Sequence, residues 1–531
     1  MAILIPIVLL GLCGPAVARS VDGPVVQTSN GEIIGHRSHE YPNMVEYLGI
    51  PYAAPPIRKL RFEPPQPYKG GSQYNASHYV SLSSLWFSMP HSPLPIDIDQ
   101  YAMQGFDCPY AVGSTINYPR KTPQFDNIMS AFTSSNNNSH SEDCLTLNVW
   151  SKRTHSYTLK PVLVHFHGGR WTSGTTNTPF YHGANFAYAE DIVVVTATYR
   201  MNIFGFPGIP GKQSNLGLLD QRKAVEWVRD NIQAFGGDPN RIVMSGQSCG
   251  GGAADYWAYS YRDDPVVAGL ISHSGTADSF PVNSPEVSTQ HWEELISLMG
   301  CKSGDVLGCM KRQSTTALLA ASGKIKPPAA SSAARTQPAF QPTVDNMTVF
   351  SDYGLLARTG SFAHLPYLAG HNHNEAGFYK ISAWAKGSTL PESEWQAFNK
   401  ETFTCPTDDA VMARIRVGVP AWRFRYFADW NNTRLYPTSG AYHGVELNMI
   451  FGNSQVVTNI YESAHQVKLQ RKMQHAWAAF VADPHHGLEK LGWPRFSLNG
   501  TTLIALGEEN KYGARFVDPR LYNVGCWNDT A

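Results

Sequence analysis

The sequence predicts an α/β fold: one large, mostly parallel central sheet flanked by helices. Three observations lead there. Short apolar runs of strand character alternate with helical periodicity. One of those runs passes directly into Gly246-Gln247-Ser248-Cys249-Gly250, the signature of a strand, a sharp turn and a helix. Residues able to complete a catalytic set with Ser248 then follow in a fixed order along the chain.

The strand-like runs are 161–166, 191–198, 241–245 and 268–272. Between the second and third lies 218–235, where Ala224, Val225, Val228 and Ile232 recur at helical spacing. Strand, helix, strand in that order points to crossover helices and parallel neighbours. The polar stretch 133–141 and the Ala/Ser/Pro-rich stretch 320–342 read as surface loops. Catalytic candidates lie on both sides of the second, so 19–531 reads as one continuous domain.

Residues 3–12 form a short apolar core, and Ala16-Val17-Ala18 supplies a small-residue cleavage site. Residues 1–18 are therefore expected to be a secretory signal, although no positive charge precedes the apolar core. The mature protein is expected to be secreted. No later stretch approaches the ~20 apolar residues of a membrane helix, so no membrane span is expected. Lys plus Arg and Asp plus Glu are equal at 42 each, without a long basic run. That balance argues against nucleic acid and anionic membrane surfaces as partners.

Eight cysteines occur, and Cys13 would leave with the signal. The odd remainder permits three pairs and one free thiol. Cys301 and Cys309 form an easy local bridge. Cys249 sits inside the turn at Ser248, where a disulfide would obstruct the site, and is read as free. Cys108–Cys144 and Cys405–Cys526 are one way to pair the rest, and spacing alone does not fix it. Sequons at Asn75, Asn137, Asn346, Asn431, Asn499 and Asn528 mark candidate glycan sites on the surface.

The turn at Ser248 pushes one hydroxyl out at the carboxyl end of a strand. A serine hydroxyl is a poor nucleophile near neutral pH and needs a base within hydrogen-bond reach. His443 is the candidate base, and Glu375 is the acid that orients it, with Glu446 a weaker competitor. The order Ser, Glu, His is the one this kind of site requires. Upstream, His167-Gly168-Gly169-Arg170 follows a strand-like run and offers backbone N–H groups for an oxyanion. Gly168, Gly169, Arg170 and Cys249 are the candidates. Arg170 lacks the backbone freedom a glycine would have there. For each catalytic candidate the plainer reading is a turn serine, a packed histidine or a solvated carboxylate. Their joint order argues against it.

His165 and His167 share a strand face, as some metal ligands do, but no carboxylate or cysteine at ligand spacing accompanies them. The preferred reading is one histidine in the core and one under the oxyanion loop, with no metal and no cofactor. His371 and His373 flank the acid and read as loop residues or as residues packed behind it. Trp86, Phe87, Trp171 and Phe378 are candidates for lining a gorge, with core packing the plainer role for most.

At this point the chain resembles the type-B carboxylesterase/cholinesterase/lipase family of α/β-hydrolases, over about 25–526. The blocks are Gly49-Ile50-Pro51-Tyr52-Ala53, Leu60-Arg61-Phe62, Glu142-Asp143-Cys144-Leu145-Thr146-Leu147-Asn148, Asn215-Leu216-Gly217-Leu218-Leu219-Asp220-Gln221-Arg222, Gly236-Gly237-Asp238-Pro239 and Ser274-Gly275-Thr276. The resemblance implies an α/β-hydrolase fold whose loop insertions form an active-site gorge. It implies Ser248 as nucleophile, Glu375 as acid, His443 as base and Ser274 as a serine bonded near the acid. It also implies a bracing ion pair, Arg61 with Glu142, and the three disulfides named above.

Three departures stand out. Arg170 replaces a third glycine, Cys249 replaces the usual Ala, and Ser134 stands where cholinesterases carry the choline-binding Trp. The likeness is thus nearer to fungal-type esterases and lipases than to true cholinesterases. The expected partner is a small-molecule ester, and the oligomeric state is left open. Two alternatives remain beside general ester hydrolysis. One is a dedicated tailoring step such as lactone opening or acyl transfer. The other is a catalytically weak binding or adhesion-type relative.

Overall fold

Strands whose residues are buried one after another must be covered on both faces, and two central stretches, Val193–Ala197 and Ala421–Tyr426, are buried at every position. The computed structural model describes residues 23–77, 105–113, 115–133, 139–153, 158–327 and 336–526. The expected signal 1–18, Trp86, Phe87, Ser134, Asn137 and Asn528 lie outside the described residues.

A small sheet contains β1 (Val25–Thr28), β2 (Gly31–Ile34) and β5 (Gln73–Asn75). The main sheet has eleven strands. They are β3 (His36–Arg37), β4 (Met44–Pro51), β6 (Thr146–Lys152), β7 (Lys160–Phe166), β8 (Val193–Ala197), β9 (Gly237–Gln247), β10 (Gly269–His273), β11 (Tyr367–Asn372), β12 (Ala421–Tyr426), β13 (Leu503–Leu506) and β14 (Ala514–Val517). Their spatial order is β14-β13-β12-β11-β10-β9-β7-β8-β6-β4-β3. The block from β8 through β13 is parallel, and the outer strands pair antiparallel. The expected runs at 161–166, 191–198, 241–245 and 268–272 all fall within or around β7 to β10.

Successive side chains on a strand point to opposite faces. Val162, Val164 and Phe166 accordingly join one buried cluster and Leu163 the other. In β9, Ile242 and Met244 join the first and Val243 the second. The expected helix at 218–235 is a helix over Leu216–Asn231 continued by a 3-10 turn over Ile232–Phe235. Gly236 ends it at φ 84°.

Strand β7 lies between β8 and β9, so the chain leaves it to one side and returns on the other. At such a reversal the loops leaving two neighbouring strands diverge and open a crevice at the carboxyl edge. Phe166 pairs with Gly246 there, which sets the His167–Arg170 loop beside Ser248. Ser274 and Glu375 follow the next two parallel strands, β10 and β11.

Three disulfides, Cys108–Cys144, Cys301–Cys309 and Cys405–Cys526, close loops of 36, 8 and 121 residues. Cys249 is free and buried. Arg61 meets Glu142 in a fork, Nε to Oε2 at 2.7 Å and Nη2 to Oε1 at 2.5 Å. A further Arg61 nitrogen donates to the carbonyls of Lys311 and Gln313, so this one side chain ties three distant segments together. Asn75, Asn346, Asn431 and Asn499 are all exposed. Among the described residues no helix is long and apolar enough to cross a membrane.

Candidate active site

Ser248 stands between β9 and the helix Cys249–Ser260 at φ 59° and ψ −126°. A non-glycine residue at positive φ carries a steric cost of about 1–3 kcal/mol, and a tight strand-to-helix turn is where such strain is retained. The flanking glycines are required by space. A Cβ on Gly246 would lie 2.0 Å from the carbonyl oxygen of Gly250, and one on Gly250 would lie 2.3 Å from that of Phe166.

Glu375 precedes the helix Ala376–Ala385, and His443 lies in the loop between β12 and the helix Leu447–Phe451. Glu375 is wholly buried, and Ser248 and His443 are nearly so. His443 Nδ1 lies 2.5 Å from Glu375 Oε2. The other carboxylate oxygen accepts from Ser274 Oγ at 2.7 Å and from the Asn372 N–H at 2.6 Å. These donors hold the carboxylate in one orientation, and it in turn holds the imidazole proton on Nδ1. Nε2 is then the free base.

That nitrogen faces two donors, Gln247 Nε2 at 3.1 Å and the Tyr379 hydroxyl at 3.3 Å. Among the described hydrogen bonds none joins Ser248 to His443, and the link to the nucleophile turn is made by Gln247. Neither Gln247 nor Tyr379 figured among the sequence candidates. Tyr379 carried a legible signal, since it lies four residues after Glu375, one helical turn along the same face.

The Gly169–Trp171 backbone is left-handed, with φ 115° at Gly169, 55° at Arg170 and 63° at Trp171. Gly169 admits no side chain, because a Cβ would lie 1.9 Å from the Ser173 carbonyl oxygen. Arg170 does adopt a positive φ, so its N–H keeps the course a glycine would give it. Its guanidinium turns away to donate to the Thr336 carbonyl. Beneath the loop, Gly168 packs on Ser248 and Gln247. Cys249 Sγ accepts from the Trp171 N–H at 3.3 Å, and burial pushes the thiol up to about 11. It stays protonated and serves as packing.

Trp171 takes the plainer role read for the aromatics, buried in the core against Tyr199, Phe206 and Tyr256. Phe378 does lie at the site, its ring 6.3 Å from that of His443. His371 is the fifth residue of β11 and not a loop residue. His167 lies just past the end of β7, so it does not share a strand face with His165. It supports the oxyanion loop, with Nδ1 2.8 Å from the Gly168 carbonyl, while His165 packs against Ser245. Among the described residues no cluster of His, Cys, Asp or Glu has the make-up of a metal site. Glu446 does not compete for His443: its Oε1 lies 3.4 Å from Nδ1 of His273. A cleft of about 1180 Å³ is lined by residues including Arg58, Tyr110, His140, Lys311 and Thr315, and Ser248 is not among its lining residues.

The carboxylesterase family model matches residues 22–83, 110–401 and 386–520. Secreted lipase 5 of Gibberella zeae is 30% identical over 95% of this chain and 94% of its own. Chlorogenic acid esterase of Aspergillus niger is 31% identical over 92% and 91% respectively. Acetylcholinesterase of Electrophorus electricus is 27% identical over 79% of this chain and 60% of its own. The solved structure of a thermophilic PNB esterase superposes with a TM-score of 0.72 at 24% identity, covering 91% of this chain and 95% of that one. The chain belongs to the carboxylesterase family, has the α/β-hydrolase fold and is a carboxylic ester hydrolase.

Proposed function

We propose that ester hydrolysis runs through an acyl-enzyme on Ser248, with His443 as base and Glu375 as its orienting acid. What supports this reading is the buried His443–Glu375 pair, its acid fixed by Ser274 and Asn372, with the imidazole bonded to Gln247, the residue before Ser248. Ser248 Oγ attacks the ester carbonyl, and its proton passes to the imidazole. The Glu375 carboxylate stabilises the imidazolium and keeps its tautomer. The alcohol departs with that proton, and water then attacks the acyl-enzyme by the same route.

The oxyanion is held by the N–H groups of Gly169, Arg170 and Cys249. Each such donor is worth about 2.7–4 kcal/mol in the transition state. The left-handed φ of Arg170 supports its place in this set. The protein is exported after cleavage near Ala18 and glycosylated at exposed sequons. The printed names of the two fungal relatives, a secreted lipase and a chlorogenic acid esterase, support export and a small-molecule ester substrate.

Fluorophosphonate labelling with an intact-mass readout tests this reading. The mature protein is expected to take up one label, and Ser248→Ala none. A labelled Ser248→Ala protein would overturn it.

A further inference from the structure

We propose that Asn202 is a positioning residue that holds the oxyanion loop in its left-handed course. This rests on the oxyanion-hole reading above and adds to it a residue from a distant segment. Gly169, Arg170 and Trp171 have positive φ in succession, at 115°, 55° and 63°. Two of them are not glycines, so the run costs backbone energy and persists only where its surroundings impose it. The turn itself supplies two bonds, from the Thr172 and Ser173 N–H groups to the Gly169 carbonyl at 3.0 and 3.1 Å. Cys249 Sγ takes the Trp171 N–H at 3.3 Å. The carbonyls that follow are left to Asn202.

The Asn202 N–H donates to the Trp171 carbonyl at 2.6 Å. Its side-chain nitrogen donates to the Thr172 carbonyl at 3.2 Å and to the Pro109 carbonyl at 2.8 Å. Carbonyl oxygens only accept, so the amide nitrogen must face both, and its two N–H bonds are used. The amide oxygen accepts from the Phe204 N–H at 3.4 Å. One residue thus catches two consecutive loop carbonyls, one with its backbone and one with its side chain. It does so from a φ of 47°, an angle that asparagine takes more readily than other non-glycine residues.

Asn202 is buried and stands on a fixed platform. Two residues before it, Arg200 forks onto Asp220, with Nε and Nη2 each 2.8 Å from a carboxylate oxygen and both side chains buried. Pro109 follows Cys108, which the disulfide to Cys144 ties down. Among the described hydrogen bonds none joins Asn202 to Ser248, Glu375 or His443, so its effect on rate passes through the loop. The Arg170 and Gly169 N–H groups lie one and two residues before the first carbonyl it catches. Loosening that end lets the left-handed angles relax, and both donors swing away from the oxyanion. A misplacement of about 1 Å at a reacting centre costs on the order of 100-fold in rate.

The test is Asn202→Gly in the mature protein. Glycine keeps the positive φ and the backbone bond to Trp171 and deletes only the amide. With p-nitrophenyl acetate, kcat is expected to fall about 10- to 100-fold while KM stays within about threefold, because the loop acts on the transition state. Affinity for a trifluoromethyl ketone, which forms an oxyanion on the serine, should fall by a similar factor. Affinity for the matching methyl ketone should hold. Asn202→Asp is the second variant, in case the first does not fold. It keeps the size and the left-handed preference, but an ionised carboxylate offers no N–H to the carbonyls, and the same losses are expected. A folded variant with kcat within about threefold of the wild type would overturn the proposal. So would a raised KM with kcat unchanged. A wild-type protein that binds the two ketones equally would refute the oxyanion hole itself. That comparison needs no variant, so the two failures are distinguishable.

Discussion

Two buried glutamate–histidine pairs share Asn372, and they differ in what faces the far nitrogen of each ring. Glu375 pairs with His443 at 2.5 Å, and Glu446 with His273 at 3.4 Å, at ion-pair distance but outside hydrogen-bond geometry. Asn372 joins them: its backbone N–H donates to Glu375, and its side-chain amide donates to Glu446 and to the Tyr442 carbonyl. The difference lies at the far nitrogen of each ring. His443 Nε2 faces hydroxyl and amide groups beside Ser248. His273 Nε2 accepts from the Trp477 indole at 3.1 Å and has no further reach. A carboxylate beside an imidazole is therefore not enough to make a base. What occupies Nε2 decides between catalysis and packing.

The sharpest way to break this contrast is Glu375→Gln. Without the carboxylate the imidazole loses its fixed tautomer and the counter-charge to its protonated form. A fall in kcat of ~10³–10⁴-fold is expected, with KM nearly unchanged. Glu446→Gln should do the reverse. Removing a buried charge that Asn372 and His273 face is expected to cost about 1–3 kcal/mol of stability, read as a lower Tm. Its kcat should stay within about tenfold of the wild type, since only the packing behind the acid changes.

A smaller effect comes from the floor of the oxyanion loop. Burial holds His167 down to about 4, and its Nε2 has no hydrogen-bond partner among the described residues. The folded value is depressed below the unfolded 6.5, so the neutral form favours folding. That contribution is complete above pH ~6.5 and is lost as pH falls toward about 4. A shift of this size corresponds to about 3 kcal/mol. The Tm should fall over that window, and His167→Gln should flatten the slope. An unchanged slope would assign the acid sensitivity elsewhere, with His165, also depressed by burial, the next group to vary.

Sequence made the turn at Ser248 legible because its glycines are demanded by contacts within a few residues. Gly246 and Gly250 leave no room for a Cβ. The order of Ser248, Glu375 and His443 was legible because strand order along the chain dictates it. Arg170 lacks the backbone freedom of the glycine it replaces, yet its φ of 55° is open to a non-glycine residue. The second pair was hidden. His273 comes from β10, Glu446 from a loop beyond β12 and Trp477 from the helix Ala464–Ala482, and no spacing announces that they meet. Glu446, three residues from His443, instead suggested a rival acid. Gln247 was missed although it adjoins Ser248, since only the fold brings it to His443.

The most direct measurement compares fluorophosphonate labelling rates of Glu375→Gln and Glu446→Gln in one experiment. Labelling reads the nucleophile itself and needs no knowledge of the natural ester. The expected result is a Glu375→Gln rate lower by ~10³-fold, with Glu446→Gln within about tenfold of the wild type. Equal losses in both variants, or a larger loss in Glu446→Gln, would contradict the assignment of one pair to catalysis and the other to packing.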